Sequence, residues 1–108
     1  MFYYMPSAAV NKNGDAIIGF SGSSMNDYIG AYYSGVLNNG TSASQPIRYF
    51  NGKDWFGLTT DTLWGDYSHT SVDPDNLTIW TIQEYAETRY PDTAARAFGT
   101  RVGAITPF

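Results

Sequence analysis

The chain of 108 residues contains no cysteine, so disulfides and thiolate metal sites are excluded and the redox compartment is left open. Basic residues are also few: six lysines and arginines stand against ten acidic residues, the net charge is −4, and no basic cluster occurs. That balance argues against a nucleic-acid backbone as partner. No apolar run approaches the roughly 18 residues that cross a bilayer, and the first five residues lack the basic start of a signal peptide. We therefore expect neither nucleic acid nor a membrane as partner, and the localisation is left unassigned.

Leucine is scarce as well, whereas aromatic residues make up 17% of the chain and include nine tyrosines. Flat rings and β-branched side chains suit the pleated surface of a sheet, so the composition predicts an all-β fold. Residues 9–20 align without a gap with residues 71–82, which indicates an internal repeat. Each copy of such a repeat is one supersecondary unit that needs a neighbour to cover its apolar faces. The chain is therefore predicted to be part of a stacked array.

Alternating apolar residues and turn signals divide the chain into two units. The predicted strands are residues 6–10, 16–21, 28–37 and 47–50 in the first unit and residues 69–73, 77–83 and 99–105 in the second. The residues 11–15, rich in Asn and Gly, predict a hairpin turn, and a helical turn is expected at residues 92–96. Residues 1–108 are read as a single two-blade unit, with blade one at 6–50, a connection at 51–64 and blade two at 65–108.

The predicted architecture is a pair of antiparallel β-propeller blades, the second of which lacks its outer strand. An exposed strand edge at residues 99–105 needs a partner, so we expect oligomerisation to complete it. The candidate strand is residues 2–4 of a neighbouring copy, and a homotrimer would form a six-bladed ring. A small β-sandwich that closes on itself is the alternative.

A series of short segments carries a family resemblance. They are residues 11–15, 21–24, 31–33, 64–68, 71–74, 83–85 and 99–101. Taken in this order, they resemble the C-terminal blades of secreted bacterial β-propeller proteins of the sialidase-like group. The resemblance implies a propeller fold and secreted relatives. The Ser-x-Asp-x-Gly-x-x-Trp signature of sialidases has no full copy here, and two blades cannot supply the three arginines, the Tyr-Glu pair and the acidic Asp of a sialidase site. We therefore expect no catalysis by the isolated chain.

One rim of the predicted propeller collects the polar and aromatic candidates, because the loop before the first strand and the loop after the second strand of a blade emerge together. The candidate ligand-binding residues at this rim are Trp64, Asp66, Tyr67, Gln83, Glu84 and Tyr85. If the resemblance extends to activity, the catalytic residues would be Asp66, Glu84, Tyr85 and Arg101. Structural roles are open beside these: Asp66 can fix a turn, Glu84 can bond to Arg101 between blades, and Trp64 can pack between blades.

A metal site has little support in the sequence. Asn11, Asn13 and Asp15 have the spacing of calcium ligands, but a full calcium loop offers more carboxylates and a later Glu, so a plain turn is favoured. His69 is the only histidine and cannot form a histidine cluster. No metal and no other cofactor is expected.

Three functions compete. The favoured one is a non-catalytic binding or scaffold module with a glycan as ligand. Residues 47–55 support it, because they resemble the aromatic-Asp-Gly-x-x-Trp strand of small fucose-binding lectins, which also build a propeller from two-blade chains. The alternative is a sialidase-like or other glycoside hydrolase whose site is assembled between protomers. The third is a structural fragment without a ligand of its own.

Overall fold

The computed structural model describes residues 1–40, 42–54, 64, 67–88 and 98–107. The strands in this part of the chain are β1 (Phe2–Val10), β2 (Ala16–Ser24), β3 (Asp27–Val36), β4 (Ile47–Phe50), β5 (Ser68–Val72), β6 (Ile79–Ala86) and β7 (Phe98–Ile105). None of the described residues is helical, and the helical turn predicted at residues 92–96 lies outside them. Within the same ranges there is accordingly no helix of the length and hydropathy that crossing a membrane requires.

The strands form two antiparallel sheets. The first has the order β1-β2-β3-β4 and the second the order β5-β6-β7. This confirms the all-β class and the division into a four-stranded and a three-stranded antiparallel unit, and each of the predicted strands overlaps one observed strand. Several observed strands are longer than predicted: β1 begins at Phe2, and β6 continues to Ala86. In the described residues no strand pairs with the outer edge of β7.

Residues 2–4 extend the first strand beyond its predicted start. They form the first part of β1 and pair with residues 21–23 of β2, in the sheet of their own chain. A bulge follows, where Met5 has a φ of 56° in the left-handed region that non-glycine residues rarely adopt. The segment is therefore an integral part of the first sheet of its own chain rather than a free strand, and β1 is the edge strand of that sheet. Its pairing with the second sheet of a neighbouring copy stays a prediction.

The two sheets pack face to face with their strands in the same order and orientation. β1 lies over β5, and β2 and β3 lie over β6. β4 approaches β7, where the Tyr49 hydroxyl donates to the Arg101 carbonyl at 3.0 Å. The two hairpin turns lie at the same end, because the Lys12 N–H donates to the Asn76 carbonyl at 3.0 Å. The second sheet thus follows the first as successive units of a repeat do.

The two hairpins differ in the length of their turns. Val10 pairs with Ala16 in the first sheet, whereas Val72 pairs with Ile79 in the second, so the second turn is one residue longer. The gapless alignment of residues 9–20 with 71–82 is therefore one residue out of step in β2 and β6. A one-residue shift moves every side chain of a strand to the opposite face. As a consequence, Ile17 and Ile79, which the alignment makes equivalent, lie on opposite faces of their two sheets. In each sheet this is the face that contacts the other sheet, so both residues are buried.

One half of the space between the sheets is polar. Small hydroxyl side chains and one amide form a hydrogen-bonded network there. Ser7 Oγ lies 2.8 Å from Thr70 Oγ1, which lies 3.0 Å from Thr81 Oγ1. The Gln83 amide donates to Thr81 Oγ1 at 2.9 Å, and the whole Gln83 side chain is buried. Gly19 of β2 lies directly against this network, since a side chain there would overlap Thr81 and Gln83.

The other half is aromatic and cationic. The rings of Phe50 and Tyr85 lie 4.4 Å apart, centre to centre, and connect β4 to β6. The Arg101 guanidinium of β7 lies 4.5 Å from the centre of the Phe50 ring, a distance at which a cation is attracted to an aromatic face. These contacts fasten the second sheet to the outer strand of the first.

Each sheet also has a face that points away from the other sheet. The first outer face consists of the side chains of Tyr3, Ala8, Val10, Ile18 and Phe20, which alternate with the inward-facing Ser7 and Gly19. The second outer face consists of the side chains of Trp80, Ile82, Phe98, Val102 and Ala104, which alternate with inward-facing residues such as Thr81 and Gln83. Polar side chains share these faces: Arg48 lies on the first, and His69, Ser71 and Thr100 lie on the second. Each outer face is therefore apolar in part.

Candidate functional site

A cavity of about 630 Å³ opens at one end of the second outer face, where β5 and β7 begin. This end is opposite the hairpin turns. The described residues that line the cavity are Tyr67, Ser68, His69, Ile82, Phe98 and Thr100. They combine two aromatic rings and one aliphatic side chain with two hydroxyls and one imidazole. Such a mixture is typical of small-molecule sites, in which apolar walls hold a ligand and a few polar groups orient it.

Two exposed aromatic rings form one wall of the cavity. The rings of Tyr67 and Phe98 lie 5.6 Å apart, centre to centre, with an angle of 27° between their planes. Tyr67 is 54% exposed and Phe98 is 45% exposed, although the stacked rings cover part of each other. The uncovered part of each ring is therefore accessible to a ligand.

Glu84 holds the backbone of this wall in place. Its carboxylate accepts a hydrogen bond from the Tyr67 N–H at 2.7 Å, and the residue is buried. A bond from a backbone N–H to a carboxylate is charge-assisted and stronger than one between neutral groups. Glu84, a predicted site residue, therefore positions the backbone of Tyr67.

Tyr85 lies on the opposite face of β6 from Glu84. Its hydroxyl donates to Glu87 at 2.8 Å rather than to Glu84, and that bond, together with burial, raises the pKa of Tyr85 above its usual value. Arg101 shares the face of Tyr85, because it pairs in register with Gln83. The predicted residues Glu84 and Tyr85 are therefore not brought together as a reacting pair, and Arg101 belongs to the aromatic half of the space between the sheets.

Gln83 and Trp64 also lie in the interior. Gln83 belongs to the polar network between the sheets, and its Oε1 atom has no hydrogen-bond partner among the described residues. The Trp64 indole N–H donates to Ser21 Oγ of β2 at 2.9 Å. Asp66, the remaining predicted residue, lies outside the described residues. Of the predicted residues that the structure describes, Tyr67 alone lines the cavity.

The turn at residues 11–15 uses its side-chain oxygens for its own backbone. Asn11 Oδ1 accepts hydrogen bonds from the N–H groups of Asn13 and Asp15, both at 3.0 Å. Asp15 Oδ1 accepts from the Asn38 N–H at 2.9 Å. No group of three metal-ligating side chains occurs in the described ranges.

The sequence reasoning missed most of the cavity. The sequence predicts His69 and Thr100 in strands and Phe98 at the end of the connection before the last strand, and it assigns none of them a ligand role. Their neighbours in space come from β5 and β7, which do not pair with each other. Alternation in β7 would have placed Phe98, Thr100 and Val102 on one face, but it does not say which face is outward. That choice depends on the packing of the two sheets.

Comparison with protein families, with curated proteins and with solved structures found no match to this chain. The resemblance to sialidase-like propellers therefore stays a prediction.

Proposed function

We propose that the chain is a non-catalytic binding module, that its ligand is a carbohydrate, and that the ligand binds in the cavity beside Tyr67 and Phe98. The observation that carries the proposal is the pair of exposed, nearly parallel rings beside hydroxyl and imidazole groups. A sugar ring has an apolar face of C–H groups that stacks on an aromatic ring and a rim of hydroxyls that exchange hydrogen bonds. His69 and Thr100 supply donors and acceptors for that rim, whereas the Ser68 hydroxyl donates to Ser7 between the sheets.

Binding is favoured over hydrolysis by the position of the carboxylates. Glycosidases use two carboxyl groups about 5–9.5 Å apart on either side of the scissile bond. Among the described residues that line the cavity, none carries a carboxylate. Glu84, the predicted acid that lies among the described residues, is buried and accepts the Tyr67 N–H. The alternative function, a glycoside hydrolase with a site between protomers, is tested in the same experiment.

We further propose that the two sheets are blades of a β-propeller. The support is their relative orientation: strands stack in the same order, and both hairpin turns lie at the same end. In a propeller, successive blades repeat in the same orientation around an axis. A sandwich, the alternative, allows this orientation among others, whereas successive propeller blades require it.

The experiment is a glycan panel on which the wild-type chain is compared with the variant Phe98→Ala. A stacked ring contact contributes about 0.5–1.5 kcal/mol, so this variant should bind about 2- to 12-fold more weakly. The matched control is Tyr28→Ala, which removes an exposed aromatic ring of β3, in the other sheet and outside the lining of the cavity, and should bind like the wild type.

Uniform failure of the wild type to bind any glycan would refute the carbohydrate proposal. Equal weakening of binding by both variants would show that the binding site is not in the cavity. Turnover of a chromogenic glycoside by the wild type, lost in Glu84→Gln, would favour the hydrolase instead.

A further inference from the structure

We propose that the second outer face of one chain packs on the first outer face of a second copy, so that copies associate head to tail. This inference rests on the blade arrangement proposed above and names the partner as this chain itself. The two surfaces are the second outer face, which includes Trp80 and Val102, and the first outer face, which includes Tyr3 and Val10.

The packing between the two sheets within the chain is the first argument for this partner. A two-fold relation between the sheets would either reverse their strand order or put their hairpin turns at opposite ends. Neither occurs: β1 lies over β5, and Lys12 of the first turn bonds to Asn76 of the second. The step from the first sheet to the second is therefore one that can be repeated. The next sheet in the same direction is the first sheet of another copy.

The chemistry of the two faces is the second argument. Val10 is 59% exposed on the first outer face, and Val102 is 53% exposed on the second. β1 and β2 contain no charged residue at all. On the second outer face the only formal charge in the strands is Glu84, which is buried. Charged groups lie beside these strands: Arg48 of the edge strand β4 shares the first outer face and forms an ion pair with Asp27, and Asp73, in the turn before β6, accepts a hydrogen bond from the Trp80 indole N–H. Among the described residues, β1, β2 and β5 to β7 therefore present no exposed formal charge on the outer faces that would have to lose its water on association.

The size of one junction favours a closed ring over an open pair. A face three strands wide and eight residues long covers roughly 400 Å² at the usual strand spacing and rise. Stable interfaces bury about 800 Å² on each partner, so one such junction is small. In a ring each copy engages both outer faces. Propellers have about four to eight blades, which corresponds to two to four copies of a two-sheet chain, and three copies are the expected number.

Head-to-tail stacking also places a partner residue at the cavity. Within the chain, the Ser68 hydroxyl at the start of β5 donates to Ser7, in the middle of β1. The same step would therefore put the residues that precede Ser7 in β1 of the next copy beyond the start of β5, on the side of Tyr67. The cavity beside Tyr67 lies there, at the end of the face away from the hairpin turns. Tyr3 of the partner subunit, which is exposed in the single chain, would then form the opposite wall. The ligand site is thus expected to be completed by the second copy.

The test measures the molar mass in solution, without ligand, of the wild type and of two variants that each block one face. Val10→Glu adds a charge to the first outer face, and Val102→Glu adds one to the second. The wild type is expected to form a closed oligomer, and each variant alone should be a monomer, which is about a threefold fall in mass for a trimer. Met25→Glu, at a turn residue that is 98% exposed and on neither face, is the control and should associate like the wild type.

Mixing the two variants decides the geometry. Each retains one intact face, so the mixture should form dimers of one copy of each at high concentration, although neither variant pairs with itself. Circular dichroism checks that both variants are folded. If one is not, Ala8→Lys replaces the first and Trp80→Lys replaces the second.

A monomeric wild type would overturn the proposal, and so would self-association of either variant or a mixture that stays monomeric. Because no ligand is present, failure of the glycan panel leaves this result unaffected. Conversely, a monomeric wild type that binds glycans would refute only the head-to-tail packing.

Discussion

Gly19 provides the sharpest test of how the two sheets fit together. It lies in β2 and faces the polar network of the second sheet. A Cβ atom at this position would overlap Thr81 Oγ1 and the Gln83 amide nitrogen, which hydrogen-bond to each other at 2.9 Å. The variant Gly19→Ala must therefore move Thr81, turn Gln83 away, or separate the sheets locally.

The expected loss of stability follows from these contacts. Overpacking a well-packed interior costs about 1–3 kcal/mol. Breaking the bonds of Thr81 and Gln83 costs about 1 kcal/mol each. Replacing glycine by alanine in a strand returns about 0.5–1 kcal/mol of conformational entropy. The free energy of unfolding should therefore fall by about 2–4 kcal/mol, which lowers the Tm by about 8–30 °C in a domain of this size.

The assay is denaturant and thermal unfolding of Gly19→Ala beside a matched glycine variant at the same protein concentration. Gly35→Ala is that control, because it lies in the neighbouring strand and its Cβ would meet Ile17 Cδ1 at an ordinary 3.4 Å. It should change the free energy of unfolding by less than about 1 kcal/mol. In a Thr81→Ala background the cost of Gly19→Ala should shrink, because one overlapping atom is gone. Equal stability of the two glycine variants would refute the close sheet contact at Gly19.

Two further variants test the hydrogen bonds of the fold. Ser7→Ala removes the hydroxyl that bonds to Thr70 at 2.8 Å and to Ser68 at 3.0 Å, so it should lower the free energy of unfolding by about 1–3 kcal/mol; a neutral result in chemical denaturation would contradict the network. The N–H groups of Leu77 and Thr78 hold the pKa of Asp75 below its usual value, so its carboxylate stabilises the fold above the pKa of the unfolded chain and loses this effect as pH falls through the lower folded value. Asp75→Ala should therefore be less stable than the wild type at pH 7, the difference should narrow in acid, and a gap independent of pH would contradict the assignment.

Local sequence features were sufficient to predict the strands and the turns. The run of residues 16–20 is apolar on both faces of a strand, and Ile17 and Phe20 are indeed buried on opposite faces of β2. The Asn- and Gly-rich residues 11–15 predicted the first hairpin correctly, with Gly14 at a φ of 82°. These features depend on neighbours in the chain, and so they can be read without knowing the fold.

The register of the repeat could not be obtained in this way. The gapless alignment of the two hairpins matches Val10 with Val72 and Ile17 with Ile79, yet the second turn holds one residue more. The number of turn residues is known only once it is known which residues pair across the hairpin. That single residue decides that both isoleucines point between the sheets.

By itself, then, the sequence determined that the chain is all-β, that it consists of two antiparallel units, and where their strands lie, because alternation and turn residues act over a few positions. The tertiary structure decided which face of each strand is inward, and hence that Glu84 supports Tyr67 while Tyr85 turns away to Glu87. It also decided that Tyr67 and Phe98 meet beside a cavity. Such contacts join residues that are distant in sequence, and they exist only once the two sheets have packed together.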